Sequence, residues 1–269
     1  MRHLDFGRLG GVAALLTAAV VMAAPMAEAT TTPTSASLHT RIFNDDPFST
    51  LNTVNSYPAS VLIEDTKFPG AGGFANRHAW RFSTDGTNPL EFNNGDHFRF
   101  CADLTIRGEG ECEAGLQVNP WWSLMVDGMF NVRTTDGEIA CFGGRLPFYS
   151  FTGNHGINYT KGNTIHLEVT YDPNSNTMAD PATIEYRVGY LANNYSSGLL
   201  PFDEGNPGED PPHGLWGMLS PATAGGHVQY FIGGSQGGVS VIWENICFEA
   251  LDSVPVAPTT WSNIKSLLH

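Results

Sequence analysis

Between Glu111 and Trp122 the chain alternates with a period of two. Glu111, Glu113, Gly115, Gln117, Asn119 and Trp121 occupy one phase; Cys112, Ala114, Leu116, Val118, Pro120 and Trp122 occupy the other. Successive side chains of a β-strand point to opposite faces. A strand here buries an aliphatic row and displays two carboxylates, two amides and an indole. Such a polar and aromatic face suits contact with a sugar, and it also suits plain solvation.

The same alternation recurs along the chain. Phe98, Phe100, Ala102, Leu104 and Ile106 interleave with His97, Arg99, Cys101, Asp103 and Thr105. Ile165, Leu167, Val169 and Tyr171 interleave with His166, Glu168 and Thr170, and Ile184, Tyr186, Val188 and Tyr190 with Glu185, Arg187 and Gly189. Further strands are predicted over 60–65, 76–83, 128–133, 138–143, 226–232 and 239–250. Asp85-Gly86, Asn94-Gly95, Asp136-Gly137 and Asp172-Pro173-Asn174 separate them as turns. Strands with one apolar and one polar face, and no helical pattern in the body, predict an all-β fold: a two-sheet antiparallel β-sandwich of jelly-roll type.

Residues 1–29 carry Arg2 and Arg8, an apolar run from Leu9 to Ala24, and Ala27-Glu28-Ala29. This reads as a secretory signal peptide cut after Ala29; the run is shorter than the roughly 20 residues that span a bilayer. The expected organisation is leader 1–29, sandwich 30–252, and a Pro-containing linker with a short helical tail over 253–269. In that tail Trp261, Ile264 and Leu267 fall at helical spacing. The expected location is extracellular or periplasmic. A net charge of −14 disfavours nucleic acid and anionic membranes, which reward clustered Lys and Arg. It leaves neutral glycans and cations as partners, a cell-surface polysaccharide among them. Four cysteines, Cys101, Cys112, Cys141 and Cys247, in an exported chain favour two disulfides of undetermined connectivity. Cys101–Cys112 is the local candidate, although the two stand in opposite phases.

Several residues could carry chemistry. A glycosidase needs two carboxylates across the scissile bond. Residues i and i+2 on one strand face lie roughly 6.5–7 Å apart, so Glu111 and Glu113 qualify, with Glu113 the more shielded. Gln117, Asn119 and Trp121 extend that face. His166, Glu168 and Arg187, in the polar phase of other strands, and Trp216 complete the ligand-binding candidates. A lyase would use a His or Tyr base and a cation to neutralise a uronate carboxylate; His166, His78, Arg77 and Arg81 are the available types, although so acidic a chain is a poor host for a polyanion. Asp203, Glu204, Glu209 and Asp210, in the loop 198–214, are candidate Ca²⁺ ligands, with Asp45-Asp46 a second pair. Gly233-Gly234-Ser235-Gln236-Gly237 matches the nucleophile elbow of serine esterases, but a strand-like Val239-Ser240-Val241-Ile242-Trp243 follows where the elbow needs a helix. The match is read as a Gly-rich hairpin turn.

The leader, the strand-only body and the Glu–Gln–Asn–Trp strand together resemble the concanavalin A-like lectin/glucanase superfamily, over roughly residues 40–252. The resemblance implies two-sheet jelly rolls whose concave face binds or cleaves glycans. The E-x-D-x-x-E glucanase signature is absent, since Glu111 to Leu116 lacks both the Asp and the last Glu. Segments 74–82 and 142–149 are similar to uncharacterised secreted bacterial proteins. The expected function is a secreted glycan-binding module; a glycan-active enzyme and a structural envelope protein are the alternatives.

Overall fold

The structure, a computed structural model, describes residues 30–65, 74–120, 128–205, 216–230 and 237–251. In chain order these form β1 (Ser35–Phe43), β2 (Leu51–Ser56), β3 (Ser60–Asp65), β4 (Arg77–Ser83), β5 (Glu91–Phe92), β6 (Phe98–Gly108), β7 (Cys112–Pro120) and β8 (Gly128–Arg133). There follow β9 (Ile139–Phe142), β10 (Tyr149–Ser150), helix α1 (Phe151–His155), β11 (Thr164–Asp172), β12 (Thr183–Tyr190), β13 (Asn193–Ser196), β14 (Leu200–Pro201), β15 (Ala222–Tyr230) and β16 (Val239–Ala250). They build two antiparallel eight-stranded sheets. The first runs β1-β4-β15-β7-β8-β9-β10 with β5 beside β15; the second runs β13-β12-β11-β6-β16-β3-β2 with β14 beside β12. This is the two-sheet sandwich that the alternation predicts.

The apolar phases meet between the sheets. Phe98, Phe100, Ala102, Leu104 and Ile106 of β6 and Cys112, Ala114 and Leu116 of β7 are fully buried, and each large side chain among them contributes roughly 1.5–3 kcal/mol. Trp80 and Trp243 meet edge to face at 6.3 Å. Trp243 Nε1 donates to the Gly115 carbonyl at 3.0 Å, tying the second sheet to the backbone of the first. Gly226 gives both indoles room: a Cβ there would fall 2.3 Å from Trp80 Nε1 and 2.8 Å from Trp243 Nε1.

Several expectations are corrected. A single disulfide joins Cys101 and Cys247, which face each other across β6 and β16. Cys112 and Cys141 are free and buried. They lie on β7 and β9 with β8 between them, and Cys141 is level with Phe130 whereas Cys112 lies beyond the Glu113–Arg133 pair; the two strand spacings alone put them more than ~9.6 Å apart, beyond the reach of a disulfide. Cys101 sits on the outer face of the second sheet and Cys112 on the inner face of the first, so the local pair cannot close. A helix does occur: α1 is one turn, N-capped by Ser150 Oγ, which accepts from Gly153 N–H, and closed by Gly156 at φ +67°. The segment 198–214 is not all loop, since Leu200–Pro201 pairs with β12. The Gly-rich match lies outside the described residues except Gly237. The strands on either side of it, β15 ending at Tyr230 and β16 beginning at Val239, belong to different sheets and are not hairpin partners.

One hairpin is built against local preference. Tyr190 and Asn193 pair across a two-residue turn, Leu191-Ala192, with φ of +49° and +63°. Two-residue hairpin turns favour Asn-Gly because both central residues take positive φ, and an alanine or leucine there carries strain of about 1 kcal/mol or more. Replacing Leu191-Ala192 by Asn-Gly is therefore expected to stabilise the protein by about 1–2 kcal/mol. A urea unfolding curve with unchanged slope and a higher midpoint would show it; a lower midpoint would mean that Leu191 is held by packing.

Candidate functional site

The outer face of the first sheet is polar, yet almost closed to solvent. Arg77, Arg81, Gln117, Asn119, Asn131 and His227 all project from it and are at most 3% exposed. Strand register explains their grouping. Gly225 stands between Arg81 of β4 and Gln117 of β7, and Gly115 stands between His227 of β15 and Asn131 of β8. At both glycines the neighbouring strand approaches closely: a Cβ would fall 1.9 Å from the Phe130 carbonyl oxygen at Gly115 and 2.1 Å from that of Trp80 at Gly225, so neither row carries a side chain at its centre.

These groups are only partly paired with one another. Arg77 donates to Gln229 Oε1 and Gln117 Oε1, both at 3.2 Å, and Gln117 Nε2 donates to the Gly226 carbonyl. In contrast, Arg81 Nε and Nη2, both amide atoms of Asn119, Asn131 Oδ1 and both ring nitrogens of His227 are buried with no hydrogen-bond partner. Buried polar groups are ordinarily satisfied, and each exception calls for an explanation. Burial, with Arg77 as a neighbouring like charge, pulls the Arg81 guanidinium down to about 10. Burial likewise draws Arg77 down to about 10 against the pull of Glu113. Burial, then the charge of Arg77, drives the His227 imidazole well below its ordinary 6.5, so it is neutral. The face presents two guanidinium groups, one neutral imidazole and the four amides of Gln117, Asn119, Asn131 and Gln229.

Glu113 lies at the margin of this layer, opposite Arg133 and Gln229. Desolvation raises its carboxyl above the ordinary 4.5, and Arg133 at 3.9 Å opposes that rise. Arg133 is itself shared with Asp136 at 2.5 Å and Glu138 at 2.6 Å. Glu111 precedes β7 and bonds Lys161 Nζ at 2.9 Å. Gln117 and Asn119 join Glu113 on the outer face. Trp121 and Trp122 lie outside the described residues, as do Glu209 and Asp210.

The other candidates fall elsewhere. His166, Glu168 and Arg187 share the outer face of the second sheet, on the opposite side of the sandwich. Trp216 is half-buried at φ +65°, and its N–H donates to the Asp203 carbonyl. Asp203 accepts from Arg145 Nη2 and from Gly205 N–H, Glu204 is exposed, and Asp45 pairs with Arg41. Among the described residues no three His, Cys, Asp or Glu side chains are grouped to hold a metal ion. His78 points to the interior phase beside Asp65 at 3.9 Å, away from Arg77 and Arg81. Sequence reasoning missed His227, Asn131 and Gln229. His227 lies in Ala224-Gly225-Gly226-His227-Val228, a stretch too poor in large apolar residues to show which phase is buried.

Two titrations on this face have opposite signs. Glu113 has a raised folded-state pKa, so its contribution to stability is complete below 4.5 and is lost as pH rises through the raised value. His227 has a depressed one, so its contribution is complete above 6.5 and is lost as pH falls. Glu113→Gln is expected to remove the decline toward higher pH and His227→Gln the decline toward lower pH. Urea midpoints measured across both windows check this; unaltered profiles would show that neither group is desolvated in solution.

No family model matches this sequence, and no curated protein is similar to it. Among solved structures, a functionally unknown protein from Saccharomyces cerevisiae aligns at 12% identity and a TM-score of 0.43, over 81% of this chain and 98% of its own. Alginate lyase A1-II' aligns at 9% identity and a TM-score of 0.45, over 80% of this chain and 94% of its own. The carbohydrate recognition domain of Emp47p aligns at 10% identity and a TM-score of 0.42, over 81% and 89%. At these identities the likeness concerns the course of the chain alone.

Proposed function

We propose that this chain is an exported glycan-binding module whose ligand lies on the outer face of the first sheet and carries carboxylate groups. The observation that supports the reading is Arg81: a guanidinium 1% exposed, with two nitrogens unbonded and Arg77, another cation, as its electrostatic neighbour. A buried charge without a partner is destabilising by several kcal/mol. A carboxylate accepting two parallel bonds from such a fork is its natural complement. Asn119, Asn131 and His227 add donors and acceptors for hydroxyl groups. The net charge of −14 is not concentrated here: Glu113, at the margin, is the acid that acts on Arg77, and Arg77 acts on Arg81 as a like charge. The signal-like leader and the Cys101–Cys247 disulfide support export.

His227 favours a second reading, cleavage of such a glycan by β-elimination. The unprotonated nitrogen of its neutral imidazole, beside a cation-held carboxylate, would take the proton α to it while the C–O bond β to the carboxylate breaks, a C=C bond forms and the leaving sugar oxygen takes a proton from water. Titration calorimetry with neutral, amino and uronate oligosaccharides on residues 30–269, with ultraviolet detection of unsaturated product, tests both. Uronate binding without product supports the module, and product supports the enzyme. Absence of uronate binding would remove the proposal.

A further inference from the structure

The outer face of the second sheet holds an arrangement that the first-sheet face does not use. His166 Nδ1–H donates to Asp103 Oδ1 at 2.7 Å, and Asn245 Nδ2 donates to Asp103 Oδ2 at 2.8 Å. Both carboxylate oxygens are thus committed, the imidazole is fixed in orientation, and its Nε2 is left for a ligand. Three irregular features support this one partly exposed ring. Asn245 adopts φ +51° at a bulge in β16, the adjacent Cys101–Cys247 disulfide pins β16 to β6, and the strained Leu191-Ala192 turn borders the ring's surroundings. Backbone strain concentrates at functional positions.

The surroundings are concave. A cavity of about 430 Å³ is lined by His166, Glu168, Glu185, Arg187, Asn194 and Ser196 among others. A second of about 350 Å³, holding Asp103, Leu191 and Ala192, adjoins it across His166, Gly189 and Asn194. Gly189 forms the floor between them: a Cβ there would come within 3.2 Å of both His166 and Asn194. Arg187 is held bidentately by Glu185 at 2.9 and 3.0 Å. Glu168 Oε1 is buried without a hydrogen bond, 3.5 Å from the same guanidinium. Two carboxylates therefore face a single guanidinium.

We infer that this groove is a second ligand site, taking a polyhydroxylated ligand without negative charge, a neutral or amino saccharide. Vicinal hydroxyls or an ammonium group complement the unbonded Glu168 oxygen, His166 Nε2 and the exposed Asn194 amide. A carboxylate-bearing sugar is repelled by Asp103, Glu168 and Glu185, so the two faces of the sandwich select opposite chemistries.

The test is an array of neutral and amino glycans, followed by titration calorimetry of the full chain with each oligosaccharide retained. At least one neutral or amino oligosaccharide is expected to bind. His166→Ala and Asn194→Ala are each expected to weaken it about tenfold, with unchanged circular dichroism and melting temperature. Arg81→Met, on the opposite face, is expected to leave this binding intact, so failure of the first-sheet reading and failure of this one are separable. The inference is overturned if no neutral or amino glycan binds, if binding survives both groove substitutions, or if Arg81→Met abolishes it.

Discussion

Replacing Arg81 by methionine is expected to weaken uronate oligosaccharide binding by roughly one to two orders of magnitude without loss of stability. A hydrogen bond to a charged group contributes about 1.5–3 kcal/mol, and each 1.4 kcal/mol is tenfold in affinity. Methionine keeps the length and packing of the side chain. It removes a cation whose Nε and Nη2 have no partner and whose neighbour Arg77 repels it. Exchanging an uncompensated buried charge for an apolar group of similar shape is often neutral or stabilising, and trade-offs between stability and function arise at such positions. The melting temperature should therefore hold or rise as affinity falls. Calorimetry and a thermal melt on the same preparation read both quantities. If the variant melts several degrees lower, Arg81 is a structural group and the carboxylate reading fails.

The second large effect concerns the disulfide. Cys101 and Cys247 are 146 residues apart in sequence, so the bond removes a long loop's freedom from the unfolded chain. The chain-entropy relation gives about 5 kcal/mol for a loop of that size, with 2–4 typical of measured cases. The double variant Cys101→Ala/Cys247→Ala should lose stability in that range. Because Cys112 and Cys141 are buried and apart, reductant should destabilise the wild type and leave the double variant unchanged. Urea midpoints with and without reductant measure this; an equal response of both proteins would mean that the bond is not formed in solution.

The sandwich and its inner face are legible in the sequence wherever the alternation is strong. β6, β7, β11, β12 and β16 carry long apolar rows, and a boundary such as the end of β11 follows from turn residues, here Asp172-Pro173-Asn174. The edge strands are not legible. β1 contributes only Ala36, Leu38, Ile42 and Phe43 to an otherwise polar run, and β2 is mostly exposed, because an edge strand buries little and needs little apolar pattern. The candidate residues divide for a similar reason. Phase places Glu113, Gln117 and Asn119 on one face and His166, Glu168 and Arg187 on one face. Nothing in either strand says that the two faces belong to different sheets. That assignment depends on pairings between residues far apart, such as Gln117 with Gly225. The burial of the outer polar layer is likewise invisible to alternation, which reads any polar row as solvated.

The strands at the margins have a bearing on self-association. An open sheet edge offers unpaired backbone groups to a neighbouring molecule. Here the first sheet tapers at one end to the two residues of β10, which run straight into α1, and at the other to β1, bent by a bulge with Arg41 at φ +56°. The second sheet tapers to the four-residue β13, and on its far side Asn55 of β2 donates its amide to the Ala36 carbonyl of β1, across to the other sheet. Each margin is thus short, kinked or occupied. Among the described strands these features reduce the length of straight edge open to a neighbouring molecule.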